Sequence, residues 1–93
     1  MKLRVDYDAL EASARKLSEQ GDIFQECIDI MTTEVNALPD IWEAETCDRY
    51  VERYNEAKPT LVDVRNLIED MSQQAITISR NFREADESMR DQM

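Results

Sequence analysis

The chain has 93 residues, carries 21 acidic against 11 basic side chains for a net charge of −10, and contains no histidine. This length allows one domain, and the acidity disfavours nucleic acid and anionic membrane surfaces as partners, because both repel acidic proteins. One glycine and two prolines leave little material for turns or sheets, so the composition favours helix. No apolar run approaches the roughly 20 residues of a membrane span, and the polar start predicts no cleavable signal peptide.

Helix one is predicted from about Tyr7 to about Ala37. Asp6 is the expected N-cap, and Pro39 ends the helix because the residue before a proline avoids helical geometry. Between these signals the apolar residues alternate steps of four and three, the heptad pattern of a helix–helix seam. They are Leu10, Ala14, Leu17, Gly21, Phe24, Ile28, Met31, Val35 and Leu38.

Helix two is predicted from about residue 41 to about residue 90, after a turn over residues 38–40. Asp40 and Glu43 have the spacing of a capping box. A turn this short would make the two helices antiparallel neighbours. The second heptad series consists of Cys47, Tyr50, Tyr54, Ala57, Leu61, Val64, Ile68, Met71, Ala75, Ile78, Phe82, Ala85 and Met89.

Pro59 lies inside the second series. A proline within a helix removes a hydrogen bond and costs about 3 kcal/mol, yet the heptad phase continues undisturbed through Ala57 and Leu61. We therefore expect a kink within one continuous helix. Folding back about residue 40 would place Gly21 opposite Pro59, so one hypothesis is that this glycine makes room for the kink; the alternative is that Gly21 merely fits a narrow slot.

Cys27 and Cys47 lie on opposite sides of the predicted turn. Folding about residue 40 brings Cys27 near Tyr54, which leaves an axial offset of roughly 7–8 Å from Cys47 at about 1.5 Å per residue. Two buried free thiols are therefore expected rather than a disulfide.

The apolar pattern is longer than one hairpin can cover. About fifteen residues of helix two should extend past the start of helix one, and they continue the apolar series through Ile78, Phe82, Ala85 and Met89. We predict an all-α antiparallel two-helix hairpin that pairs with a second hairpin into an elongated four-helix bundle. The expected hairpin and dimer seam consists of Leu10, Leu17, Phe24, Ile28, Met31, Val35, Tyr50, Tyr54, Leu61, Val64, Ile68, Met71, Ile78 and Phe82. The second hairpin is another copy or a related chain, and the net charge mildly favours a less acidic partner.

Residues suited to catalysis, cofactor binding or metal binding are scarce. The absence of histidine excludes a histidine base or a histidine-ligated metal, and two isolated cysteines do not form a zinc ligand set. A single glycine cannot build a phosphate-binding loop. The sequence therefore predicts a protein that is not an enzyme and holds no cofactor.

Two short motifs carry a family resemblance. Trp42-Glu43-Ala44 falls at the turn, with the aromatic Tyr50 eight residues after the tryptophan, and Phe82 precedes Asp86 by one helical turn. On these residues the chain resembles the WXG family of small helical hairpins, similar to the early secreted antigenic target of mycobacteria. Two residues depart from the family pattern, because Ala44 stands where glycine is expected and Phe82 where tyrosine is commonest.

The resemblance implies a non-enzymatic substrate that a type VII (ESX-like) secretion system of a Gram-positive or mycobacterial cell exports as a folded dimer. Trp42, Glu43 and Ala44 would form the export turn, and Phe82 and Asp86 the tail signal. In the family, the turn of one chain and the tail of its partner form a composite surface for the secretion ATPase.

The Phe-x-x-x-Asp tail also resembles the small helical partners of LXG toxins. The alternative function is therefore an adaptor that binds the helical N-terminal domain of an LXG toxin and directs it to the same secretion system. A free-standing coiled-coil structural protein is the third class.

Overall fold

A computed structural model of the chain describes residues 5–91, with side chains as far as Met89. Helix α1 covers Tyr7–Ala37, a 3₁₀ turn covers Leu38–Asp40, and helix α2 covers Glu45–Asp91. The two helices pack antiparallel in a rod of 75 × 19 × 18 Å. Residues 5–91 contain no strand, and none of the helices described is long and apolar enough to cross a membrane. The predicted all-α antiparallel hairpin is confirmed.

The ends of α1 follow from local sequence. The side chain of Asp6 caps the helix, because its Oδ1 accepts a hydrogen bond from the backbone N–H of Ala9 at 3.0 Å. Asp8 lies in the first turn, where the helix dipole favours a negative charge. At the other end Pro39 follows directly in the 3₁₀ turn. The Asp6 cap operates as predicted. Pro39 does not push Leu38 out of helical geometry, since Leu38 keeps helical dihedral angles (φ −55°, ψ −38°). The predicted reason for the end of α1 is therefore wrong: the α-helix ends because the chain tightens into the 3₁₀ turn.

Helix α2 begins at Glu45, four residues later than predicted. The N–H groups of Ile41 and Trp42 both donate to the carbonyl oxygen of Leu38, at 3.0 and 2.8 Å, so they close the turn instead of starting a helix. The first helical bonds of α2 are accepted by the carbonyl of Ala44, with the N–H of Cys47 at 3.0 Å. The predicted capping box of Asp40 and Glu43 is therefore wrong, since Ala44 occupies the N-cap position.

The longer connection shifts the register of the hairpin. A Cβ on Gly21 would lie 3.2 Å from Cγ2 of Ile68, which is nine residues beyond the predicted partner, Pro59. Pro59 itself is exposed. The hypothesis that Gly21 makes room for Pro59 is therefore wrong, and Gly21 allows a close approach to Ile68 instead. Helix α2 continues through Pro59 as one element, as predicted.

The same shift shortens the overhang of α2. The side chain of Tyr7, the first residue of α1, reaches the carbonyl oxygen of Phe82 and the carboxylate of Asp86. Of the described residues, only 87–91 extend past this contact with the start of α1, so the predicted overhang of about fifteen residues is too long. The reason is the late start of α2, which moves every residue of that helix toward the turn.

The cysteines are both free, but they differ in exposure. Cys47 is buried at the start of α2, whereas Cys27 is exposed. The expectation of two buried thiols is therefore wrong for Cys27. This residue precedes the buried Ile28 by one position, which turns its side chain away from the interface.

Small and polar residues line the centre of the interface on α2. Ser72 and Ser79 are fully buried. The hydroxyl of Ser72 donates to the carbonyl oxygen of Ala14 at 2.7 Å, and the hydroxyl of Ser79 donates to a carboxylate oxygen of Glu11 at 3.1 Å. The apolar heptad pattern did not predict these two serines, because a polar residue does not register in a search for apolar periodicity.

Candidate functional site

At the turn end, Trp42 is positioned by both its backbone and its ring. Its N–H donates to the carbonyl oxygen of Leu38 at 2.8 Å. Its indole lies against the ring of Tyr50, with centroids 5.9 Å apart and an interplanar angle of 56°. Tilted aromatic pairs of this kind are favourable beyond the area they bury. The indole remains 39% exposed, so it is fixed in place yet accessible.

Glu43 and Ala44 continue this surface and are both exposed. Glu45 and Asp48 lie in the first turn of α2, where the positive end of the helix dipole stabilises carboxylates. Burial raises the pKa of the Cys47 thiol, and the nearby Asp48 carboxylate raises it further. This thiol is therefore a structural group that anchors the start of α2.

At the tail end, the motif residues are connected to the first turn of α1. The Tyr7 hydroxyl hydrogen-bonds to the Asp86 carboxylate and lies 3.2 Å from the carbonyl oxygen of Phe82. The guanidinium of Arg83 lies 5.3 Å from the centroid of the Tyr7 ring, within the range of a cation–π interaction. The same guanidinium is 3.2 Å from a carboxylate oxygen of Asp8.

The two predicted motifs lie at opposite ends of the molecule. Phe82 and Asp86 are exposed and lie one turn apart on one face of α2, beside the start of α1. Trp42 lies at the turn, at the far end of the 75 Å rod. A single chain therefore does not bring Trp42 together with Phe82 and Asp86.

Along the rod, each apolar heptad series divides into two lines. On α1 the line of Ala14, Gly21 and Ile28 is buried against α2, while Leu17 and Met31 remain exposed. On α2, Tyr54, Leu61 and Ile68 are partly buried. The alternate positions on α2 are exposed by 41 to 56%, namely Tyr50, Val64, Met71 and Ile78.

The exposed apolar residues lie on one flank of the hairpin. Gly21 meets Ile68 at the centre of the interface. Arg65, three positions before Ile68, pairs with Asp22 of α1 at 3.5 Å, so that flank is polar. Met71, three positions after Ile68, lies on the opposite flank.

At the turn end, Val35 of α1 and Tyr50 and Ala57 of α2 line one shallow groove, so both helices contribute to this second flank. We call it the apolar face, consisting of Leu17, Met31, Tyr50, Val64, Met71 and Ile78.

The remaining seam residues take intermediate positions. They are partly exposed in the hairpin: Leu10, Phe24, Val35, Tyr54, Leu61 and Ile68. Within the described part of the chain, no group of three or more acidic or cysteine side chains is arranged to hold a metal ion.

Comparison with known proteins agrees with this architecture. The profile of the WXG100 family, described as proteins of 100 residues with WXG, matches residues 2–87. An ESAT-6-like protein of Streptococcus agalactiae is 22% identical over 92 residues, covering 99% of this chain and 96% of that protein. Protein YukE of Bacillus subtilis is 20% identical over 91 residues, covering 98% of this chain and 94% of that protein. With a match that extends from before α1 to the tail motif, the chain belongs to the WXG100 family.

Proposed function

We propose that this protein is a non-enzymatic substrate of a type VII (ESX-like) secretion system and is exported as a folded dimer. One observation carries the proposal: Trp42 and the pair Phe82 and Asp86 are solvent-accessible at the two ends of a rod whose apolar face its own helices leave open. Membership of the WXG100 family and similarity to an ESAT-6-like protein support it.

The apolar face supports the dimer. Exposed apolar patches on a soluble protein commonly mark an interaction surface, and this one follows a heptad line along most of α2. A second copy that packs the same face against it would complete a four-helix bundle with twofold symmetry. The net charge of −10 on each copy opposes this pairing. The charge is spread along the chain, and salt screens it beyond about 8 Å at physiological ionic strength.

An antiparallel arrangement of two hairpins has a further consequence for the motifs. It would bring the Trp42 end of one copy beside the Phe82 and Asp86 end of the other. The export surface would then be composite, with an indole from one chain and a phenyl ring and carboxylate from its partner. We propose that the secretion ATPase recognises this composite surface, which would exist only in the dimer.

A secretion assay tests the proposed function. Trp42→Ala and Asp86→Ala should each abolish export from a cell with a type VII system, while circular dichroism shows unchanged helical content. Asp70→Ala is the matched control, because Asp70 is an exposed aspartate of α2 outside both motifs, and its export should equal that of the wild type. Undiminished export of both motif variants would contradict the proposal.

The adaptor function is the second candidate, and the departures at Ala44 and Phe82 favour it. An adaptor would bind the helical N-terminal domain of an LXG toxin and leave the cell with it. The two functions differ in what export requires. The adaptor function is supported if this protein appears outside the cell only when an LXG toxin is co-expressed, and if it co-purifies with that toxin. Export of the chain by itself supports the substrate function.

A further inference from the structure

We propose that Tyr7 is a positioning residue for the tail signal: its hydroxyl holds Asp86 and orders the turn that carries Phe82 and Asp86. This inference rests on the proposed function and adds to it a residue from the opposite end of the chain. Tyr7 and Asp86 are separated by 79 positions in sequence, and the hairpin alone brings them together.

The hydroxyl of Tyr7 contacts both ends of the tail motif. It lies 3.2 Å from the carbonyl oxygen of Phe82 and hydrogen-bonds to the carboxylate of Asp86. A tyrosine hydroxyl has one proton to donate, and the ionised carboxylate is the stronger acceptor. The hydroxyl therefore donates to Asp86, the last residue of the motif, and lies close to the backbone of Phe82, the first.

The ring of Tyr7 is itself held on α2. The Arg83 guanidinium lies 5.3 Å from the ring centroid and also lies 3.2 Å from Asp8 and 3.7 Å from Glu11. The hydroxyl of Ser79 lies 3.4 Å from the carbonyl oxygen of Tyr7. These contacts fix the tyrosine from both sides, so its hydroxyl is presented to Asp86 in a defined place.

The position of this contact explains why it matters. Among residues 5–89, whose side chains are described, Asp86 is the most C-terminal residue with a hydrogen bond to α1. Helix ends fray, and the chain beyond a last tertiary contact is poorly ordered. A receptor that binds an ordered turn does not have to immobilise it, which favours affinity. The Tyr7 hydroxyl thus determines whether Phe82 and Asp86 are presented at fixed helical spacing.

Three variants of the full-length protein separate ordering from charge recognition. Tyr7→Phe keeps the ring that faces Arg83 and removes only the hydroxyl. Asp86→Asn keeps an oxygen that accepts from Tyr7 but removes the charge. Tyr54→Phe is the matched control, because it removes a tyrosine hydroxyl that lies 2.9 Å from Thr32 Oγ1 between the same two helices, far from the tail.

Hydrogen exchange of the amides of residues 83–89, followed by NMR, gives the first readout. Tyr7→Phe should exchange about fivefold faster than the wild type, the factor expected for loss of one typical hydrogen bond. Asp86→Asn and Tyr54→Phe should keep the wild-type rate in this segment. An unchanged rate in Tyr7→Phe would overturn the inference.

Export gives the second readout. Tyr7→Phe should be exported several times less than the wild type, and Asp86→Asn should also be impaired if the ATPase reads the charge. Export of Tyr7→Phe at or above the wild-type level, while Asp86→Ala is retained in the cell, would overturn the inference alone. Normal export of Trp42→Ala and Asp86→Ala would instead overturn the proposed function, and the exchange rates would still decide whether Tyr7 orders the tail.

Discussion

The indole of Trp42 packs at a tilt of 56° against the ring of Tyr50, with 5.9 Å between the ring centroids. Trp42 precedes the first residue of α2, whereas Tyr50 lies inside that helix and belongs to the apolar face. The only tryptophan of the chain is therefore oriented by a residue of the surface on which we place the second copy. This contact connects the turn that carries Trp42 to the proposed dimer interface.

Replacing Tyr50 should loosen the indole without unfolding the hairpin. Tyr50→Ala removes an aromatic contact that contributes about 1 kcal/mol, so Trp42 should become more mobile and more hydrated. Because Trp42 is the only tryptophan, its fluorescence anisotropy should fall and its emission should shift to longer wavelength. Tyr50→Phe keeps the ring and should behave as the wild type. Identical spectra for Tyr50→Ala and the wild type would show that the ring does not hold the indole.

The contact between Gly21 and Ile68 predicts a dependence between two substitutions. Alanine favours helix over glycine by about 1 kcal/mol, but a Cβ on residue 21 would lie 3.2 Å from Cγ2 of Ile68. Gly21→Ala should therefore gain less than about 1 kcal/mol in the wild type and the full amount in an Ile68→Ala background. Gly21→Leu should destabilise by about 2 kcal/mol through overpacking.

Urea unfolding at one fixed protein concentration measures these free energies, since association would otherwise contribute to them. The double-mutant cycle isolates the coupling between residues 21 and 68. An equal gain from Gly21→Ala in both backgrounds would mean that the two helices do not approach closely at this point.

The cysteines should differ in reactivity. Cys27 is exposed, while Cys47 is buried and its pKa is raised by burial and then by Asp48. Only the thiolate reacts with an alkylating reagent, so at mildly alkaline pH one thiol per chain should react quickly in the native protein and both should react in urea. Cys27→Ser should abolish the fast reaction. A fast reaction that persists in Cys27→Ser would place Cys47 at the surface.

The raised pKa also predicts how stability depends on pH. The folded state keeps the Cys47 proton more tightly than the unfolded state does, so this thiol favours folding below the ordinary pKa of 9.0. That contribution should be lost as the pH rises through the higher pKa of the folded state. The free energy of unfolding, measured in urea, should fall less for Cys47→Ala than for the wild type over this alkaline range. An equal fall in the free energy of unfolding for the wild type and Cys47→Ala would show that the Cys47 thiol is not the source of this pH dependence.

The sequence predicts the helices better than their relative position. Asp6 determines the start of α1 through its hydrogen bond with the N–H of Ala9, and α1 ends where the 3₁₀ turn that contains Pro39 begins. The start of α2 does not follow from Asp40 and Glu43, because the amides after Asp40 bond to the carbonyl of Leu38 instead. Because α2 starts late and the chain continues from α1 through a 3₁₀ turn to Asp40, every facing pair is displaced, and the partner of Gly21 lies nine residues further along α2 than expected.

The motif residues could be located from the sequence, but their contacts could not. Trp42, Phe82 and Asp86 stand out by spacing and by family resemblance. The hydrogen bond from Tyr7 to Asp86 joins residues 79 positions apart and depends on the register of the whole hairpin. Each heptad series likewise contains two lines of apolar residues that the sequence does not distinguish. Only the packed hairpin shows which line is buried and which forms the apolar face.

The apolar face can be tested with one added charge. Met71 is 50% exposed at the centre of this face, so Met71→Glu should place a carboxylate inside the dimer interface. Thr77→Glu adds the same charge at an exposed position of α2, and its separation of six residues from Met71 places it on another face of the helix. Because neither side chain is buried in the hairpin itself, both variants should keep the helical content of the wild type.

Light scattering coupled to size-exclusion chromatography tests the central claim most directly. The chain has a mass of 10.9 kDa, and we predict that the wild type and Thr77→Glu elute with twice this mass at micromolar concentration. Met71→Glu should shift toward the mass of a single chain while remaining helical. A wild-type protein that elutes as a stable monomer, with all three proteins indistinguishable, would contradict the account, because the apolar face would then need no second hairpin.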